Sequence, residues 1–239
     1  MRTTHSALLL LIFFSLVGLA ACNDRQFDNP FDPDAEARAY EILSTIQAGG
    51  VSPVDLAFSG DVLWVVDAQA QVLALNYTSG ALVRELEFPQ GAAGIAYDGD
   101  DLWLSVKNSS QLVLVNIISG AQIRMLNLPR GNLGPLDYSG GKLYVADRLA
   151  NAVLVVDPVT GAIERSIPQP GFGIDGVAHD GVDLWTIDAS QMKILRLAAD
   201  GALINQYQTP SRSASGLAFA SGIFWCGDVA GRIYRLRFL

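Results

Sequence analysis

Histidine, cysteine and glutamate supply most nucleophiles, general bases and metal ligands, and this 239-residue chain spends them sparingly. After residue 21 there is a single histidine, His179, which excludes a histidine-rich metal set. Placed near the turn that ends its strand, it also argues against a nucleophile–histidine–acid triad. The two cysteines, Cys22 and Cys226, cannot build a disulfide framework, and Cys226 follows Trp225 in an apolar run, as a buried thiol does. Gly171-Phe172-Gly173-Ile174-Asp175-Gly176 fits G-x-G-x-x-G, but it follows Pro170 and leads into a strand, so the dinucleotide reading fails on context. Gly141-Lys142 lacks the earlier glycine of a phosphate loop, and G-x-S-x-G is missing from the sequence. No cofactor and no metal are expected, and no catalytic residue is assigned.

Half of the residues are apolar, 17% are charged and the formal charge is −8. That balance suits a packed domain. An acidic surface repels phosphate backbones, so nucleic-acid binding is disfavoured.

The elements that must position any site come from a repeat. Trp64, Trp103, Tyr144, Trp185 and Trp225 recur at spacings of 39, 41, 41 and 40. Gly80, Gly120, Gly161 and Gly201 keep the same beat, as do Pro89, Pro129, Pro170 and Pro210. A period near 40 indicates a solenoid or a propeller. Each unit holds four short apolar runs split by turn residues; in the second they begin at Gly94, Leu102, Leu112 and Ala121. Their length and β-branched content predict strands, and the first three, apolar on both faces, predict strands covered on both sides.

After Trp225 the chain supplies one more run, Arg232-Ile233-Tyr234-Arg235-Leu236, and ends without a fourth. A spare run, about residues 40–47, precedes the first complete set. The fold class is therefore all-β: a five-bladed β-propeller of four-stranded antiparallel blades, the last closed by the N-terminal strand, over residues 40–239.

In such a ring, the loops between second and third strands and between blades share the channel-mouth face. The first set starts at Asp67, Lys107, Asp147, Asp188 and Asp228, where the aspartates are expected to cap loop amides. Lys107 and Arg148 bring positive charge there. Blade-to-blade loops contribute Arg130, Asn132, Phe172, Asp175 and Arg212, and Asp55 and Asp137 belong to innermost strands. Asp137 stands where other repeats have Ala57, Ala96, Ala178 and Ala218, so it needs a cationic or amide partner, such as Arg130 or Arg148, or channel water. Together these nine residues form the expected ligand or partner site, a mixed-charge rim.

Residues 1–21 have a basic tip and an apolar stretch too short to span a bilayer, as in a signal peptide. The stretch ends in Leu19-Ala20-Ala21-Cys22, which resembles the lipobox of bacterial lipoproteins. That resemblance implies lipidation of Cys22, membrane attachment through the lipid, and residues 22–39 as a tether carrying Asp24, Asp28, Asp32, Asp34 and Glu36. Asn23 after the cysteine implies the outer membrane, facing the periplasm or the cell surface. The repeat itself resembles the NHL and YVTN-type units of bacterial propellers, which share a scaffold and differ in function.

Two function classes follow. One is a lipid-anchored, monomeric binding or scaffolding module of the cell envelope, holding a protein, peptide or glycan on the mouth face. The other is an enzyme like the five-bladed glutaminyl cyclotransferases, whose chemistry relies on a glutamate at the channel mouth. Of the five glutamates, Glu36 falls in the tether and Glu41, Glu85, Glu87 and Glu164 fall on outermost-strand positions, which favours binding.

Overall fold

The computed structural model describes residues 40–129 and 131–239. Twenty strands form five four-stranded antiparallel sheets arranged as a propeller. The innermost strands are β2 (Pro53–Phe58), β6 (Ala92–Tyr97), β10 (Leu133–Ser139), β14 (Gly176–His179) and β18 (Ala214–Ala220). Next come β3 (Val62–Asp67), β7 (Leu102–Val106), β11 (Lys142–Asp147), β15 (Leu184–Asp188) and β19 (Ile223–Asp228). The third layer is β4 (Val72–Asn76), β8 (Gln111–Val115), β12 (Ala152–Val156), β16 (Lys193–Leu197) and β20 (Arg232–Phe238). The outermost strands are β5 (Leu82–Leu86), β9 (Gln122–Asn127), β13 (Ile163–Pro168), β17 (Leu203–Gln208) and, for the last blade, β1 (Tyr40–Gln47).

Burial follows the layers. The second strands are almost wholly buried, whereas β9 and β17 expose four residues in a row. Side chains from facing blades fill the wedges between sheets, as where Ile95, Leu104 and Val113 of blade 2 meet Val66 and Val72 of blade 1. Each such fully buried side chain is worth about 1.5–3 kcal/mol of transfer free energy.

The recurring tryptophan has a local reason. Its ring is buried, and its indole N–H needs an acceptor. In three blades that acceptor lies five residues earlier, in the turn between the first two strands: Ser59 Oγ for Trp64 (3.1 Å), Asp98 for Trp103 (3.2 Å) and Asp180 for Trp185 (2.8 Å). The recurring glycine closes the third-to-fourth strand turn with positive φ, +73° at Gly80 and +74° at Gly161. Asn76, Asn116 and Asp157 nucleate these turns by accepting the amides two and three residues on.

The ring closes as the sequence predicts. β1 pairs antiparallel with β20, from Tyr40 opposite Phe238 to Gln47 opposite Arg232. This blade has no third-to-fourth turn, because β20 ends the chain and β1 begins the fold. Elsewhere the turn glycine packs on the preceding blade, as Gly120 does on Leu86 and Gly161 on Leu126. Here aromatic rings take that place: Phe238 lies 4.6 Å from Trp185 and from Tyr207, and 5.3 Å from Tyr40.

Candidate functional site

At the axis the inner strands approach to backbone contact. The register that aligns Ala57, Ala96, Asp137, Ala178 and Ala218 also aligns Asp55 with Gly94, Pro135, Gly176 and Gly216. A Cβ on Gly216 would sit 2.7 Å from the Asp55 Cα, and one on Gly94 would sit 2.8 Å from the Pro135 Cα. The ring has room for one longer side chain at this level, and Asp55 provides it. Its carboxylate is fully buried and accepts the amides of Ile95 (2.9 Å) and Leu136 (3.1 Å), so one residue of blade 1 holds blades 2 and 3. The other oxygen has no partner among the described residues. Burial pushes the Asp55 carboxyl well above its ordinary value, and the backbone amides offset this only in part.

Above this floor the mouth face is built from pinned loops. Asp147 accepts the amides of Leu149 and Ala150, Asp67 that of Gln71, and Asp228 those of Ala230 and Arg232. Asp188 accepts the Ser190 hydroxyl and the Gln191 amide, and reaches across to the Phe172 amide at 2.8 Å. Burial would raise the Asp188 carboxyl, but these hydrogen bonds outweigh it and hold the group below its ordinary value. The Asp175 carboxylate accepts the Ala189 amide at 3.0 Å. The four aspartates at the ends of β3, β11, β15 and β19 are buried, so their charge serves the loops and does not face outward.

The aspartate register corrects one sequence expectation. Val106, opposite Ala92, occupies the position that Asp67, Asp147 and Asp228 hold opposite Pro53, Leu133 and Ala214. Lys107 lies one residue further on, level with Arg148, because blade 2 reaches its turn with valine where other blades have aspartate. Both side chains are exposed, and the Arg148 guanidinium folds over Gly134. Asn132 stands between the two turns: its carbonyl accepts the Arg148 amide (3.4 Å), and the next residue, Leu133, donates to Ser109 (3.1 Å). Phe172 is 84% exposed, and Arg212 is exposed in the connection from blade 4 to blade 5. A hollow of about 460 Å³ lined by Gly131, Asp147, Leu149 and Ala150 opens beside them. Arg130 and Cys22 lie outside the described residues.

Asp55 and Asp137 do not join this rim. Asp55 is the floor. Asp137 lies toward the opposite end of its strand, where its carboxylate accepts the His179 amide at 2.7 Å. The partner is an amide and not a guanidinium, because Arg148 packs at the mouth end of the same strand, over Gly134. The His179 ring stacks on Tyr144, the cross-strand neighbour of Asp137, with centroids 4.4 Å apart. Burial raises the Asp137 carboxyl from 3.8 to about 7, with the His179 and Tyr138 amides opposing, and burial lowers the His179 imidazole.

Several structural residues escaped sequence reasoning. Asn151 donates to the carbonyls of Gln169 and Gly171, and Gln169 donates to Gly173, which shapes the loop that carries Phe172. The buried hydroxyls of Ser105 and Ser215 donate to the carbonyls of Gly134 and Pro53 in neighbouring blades. Nothing in single-sequence spacing marks these contacts, and those of Ser105 and Ser215 link different blades. Glu41, Glu85 and Glu164 are on outermost strands, and Glu87 follows β5 at the outer rim. Among the described residues no group of three or more histidine, cysteine or acidic side chains is arranged to hold a metal.

Comparison with protein-family profiles and with curated proteins returns no match. Solved structures do match. The chain superposes on the glutaminyl cyclase of Myxococcus xanthus with a TM-score of 0.71 and 17% identity, covering 84% of this chain and 96% of the cyclase. The virginiamycin B lyase of Staphylococcus aureus matches with a TM-score of 0.53 and 16% identity over 78% of this chain and 66% of the lyase. A streptogramin B lyase matches with a TM-score of 0.53 and 14% identity over 84% and 98%. At these identities the likeness shows a shared fold.

Proposed function

We propose that this chain is a binding or scaffolding module of the bacterial cell envelope, tethered through a lipid on Cys22, that takes a protein, peptide or glycan partner on its mouth face. The observation that carries this reading is the mouth itself. Buried aspartate caps fix loops that present Arg148, Leu149 and Phe172 outward beside the exposed Lys107 and Arg212, over a floor closed by Asp55 and strand backbone. Exposed aromatic and cationic side chains on preordered loops are what a recognition surface needs. The lipobox-like Leu19-Ala20-Ala21-Cys22 supports the address.

A second reading has one observation in its favour, the similarity to a glutaminyl cyclase over nearly the whole of that enzyme. The glutamates of β1, β5 and β13 are on outermost strands, away from the axis, so a cyclase would have to work through Asp137 or Asp175.

The test uses the full-length chain. Envelope partners should be captured by the wild type and by Arg165→Ala on β13, and lost with Phe172→Ser or Leu149→Ser. Ammonia release from a glutaminyl peptide should stay at background. Turnover abolished by Asp137→Ala or Asp175→Ala, but kept by Arg212→Ala, would favour the enzyme. Labelling with a palmitate analogue should disappear in Cys22→Ala.

A further inference from the structure

Among the described residues, three of the cations this fold leaves unpaired are gathered on one face. Arg84 and Arg124 bond to turn carbonyls of the next blade, Lys142 to Asp157 and Glu164, and Lys193 to Gln206. Arg196 pairs with Asp183, Arg232 with Asp228 and Arg237 with Glu41, while Arg235 lies over Trp225. Among the described residues Lys107, Arg148 and Arg212 form no ion pair or side-chain hydrogen bond, and all three are exposed on the mouth face. Arg165, on β13, is another exposed cation of this kind.

The carboxylates of that face behave oppositely. Asp67, Asp147, Asp188 and Asp228 are buried against amides, Asp55 is sealed at the axis, and Asp175 holds the Ala189 amide. Glu85, which accepts Gln71, and Glu87 are exposed at the outer rim. In a chain of net charge −8, the charged groups that reach outward around the mouth are therefore these cations. Beside the cations stand Leu149 (76% exposed) and Phe172 (84%), with the hollow under Leu149 and Ala150.

We infer that the mouth face recognises an acidic peptide segment of a partner protein, its carboxylates on Lys107, Arg148 and Arg212 and an apolar side chain against Leu149 and Phe172. This rests on the mouth-face reading and narrows it. A neutral glycan would leave the cations without a role. The anchoring membrane is disfavoured because β1 enters at Tyr40, opposite Phe238, and reaches the mouth only at Gln47, opposite Arg232. The tether thus joins the domain at the face away from the cations.

The test is fluorescence polarisation with the full-length chain in detergent, using a labelled peptide of alternating glutamate and leucine and its glutamine-for-glutamate counterpart. The acidic peptide is expected to bind, and a peptide of residues 23–39, itself acidic and carrying Phe27 and Phe31, is expected to compete. Affinity should fall about tenfold in Lys107→Gln/Arg148→Gln, and should weaken on raising salt. Equal binding of the glutamine peptide, an unchanged affinity in the double variant, or stronger binding to phosphatidylglycerol vesicles would overturn the inference. If the acidic peptide fails while partner capture still depends on Phe172 and Leu149, the inference alone falls. If capture is also indifferent to those residues, the mouth-face reading falls with it.

Discussion

Asp137→Asn separates charge from shape at the one innermost position where a carboxylate replaces a methyl. In the wild type, burial lifts this carboxyl from 3.8 to about 7. A folded-state value above the unfolded one means that the folded chain holds the proton more tightly. Stability is then full below about pH 4, declines as the pH climbs to about 7, and carries a constant deficit beyond. Three units at about 1.4 kcal/mol each set a ceiling near 4 kcal/mol. Asp137 is partly exposed, so solvent screening brings the expectation down to about 2 kcal/mol. Asparagine keeps an oxygen for the His179 amide and cannot ionise. In thermal melts followed by circular dichroism, variant and wild type should unfold together near pH 4. Near pH 8 the variant should unfold about 4–8 °C higher, at roughly 2–4 °C per kcal/mol for a domain of this size. Asp55, Tyr144 and His179 are the other titratable groups of this region and are present in both proteins. Asp55 enters the difference only through its repulsion with Asp137, which the substitution removes. A gap independent of pH, or a variant less stable near pH 8, would refute the reasoning.

Gly216→Ala should destabilise the fold by more than about 2 kcal/mol in urea titrations, because φ is +66° and the new methyl would meet the Asp55 Cα at 2.7 Å. Ile46→Ala, on the buried side of the closing strand, should cost about 2–4 kcal/mol and lower the urea midpoint without changing its slope. Asp188→Ala should leave the strands protected while hydrogen exchange accelerates at the Phe172 and Gln191 amides, which lose their acceptor.

How much was legible depended on whether a signal repeats. Trp64 and its counterparts recur in every blade and the turn glycines in four of the five, so the strand count, the ring and its closure by residues 40–47 could be read directly. The outward placement of Glu41, Glu85 and Glu164 followed from the same register. Features that break the repeat were harder. The aspartate position at blade 2 is Val106, and counting charges instead of strand partners put Lys107 there. Asp55 looked like a rim residue because its partners, Ile95 and Leu136, are backbone amides 40 and 81 residues away, and an amide leaves no trace in sequence. Asp137 was recognised as an oddity, but its depth along the axis depends on which end of β10 faces the mouth.

The seam between β1 and β20 also sets how the domain answers to force. Tension arriving through residue 39 would load Tyr40 first, at the end of the strand that pairs with Phe238. A pull between that end and the mouth runs along β1, so the rungs of the seam share the load as a shear joint. The aromatic cluster of Tyr40, Trp185, Tyr207 and Phe238 sits at that leading rung. The stickiest packing thus guards the point of greatest mechanical exposure.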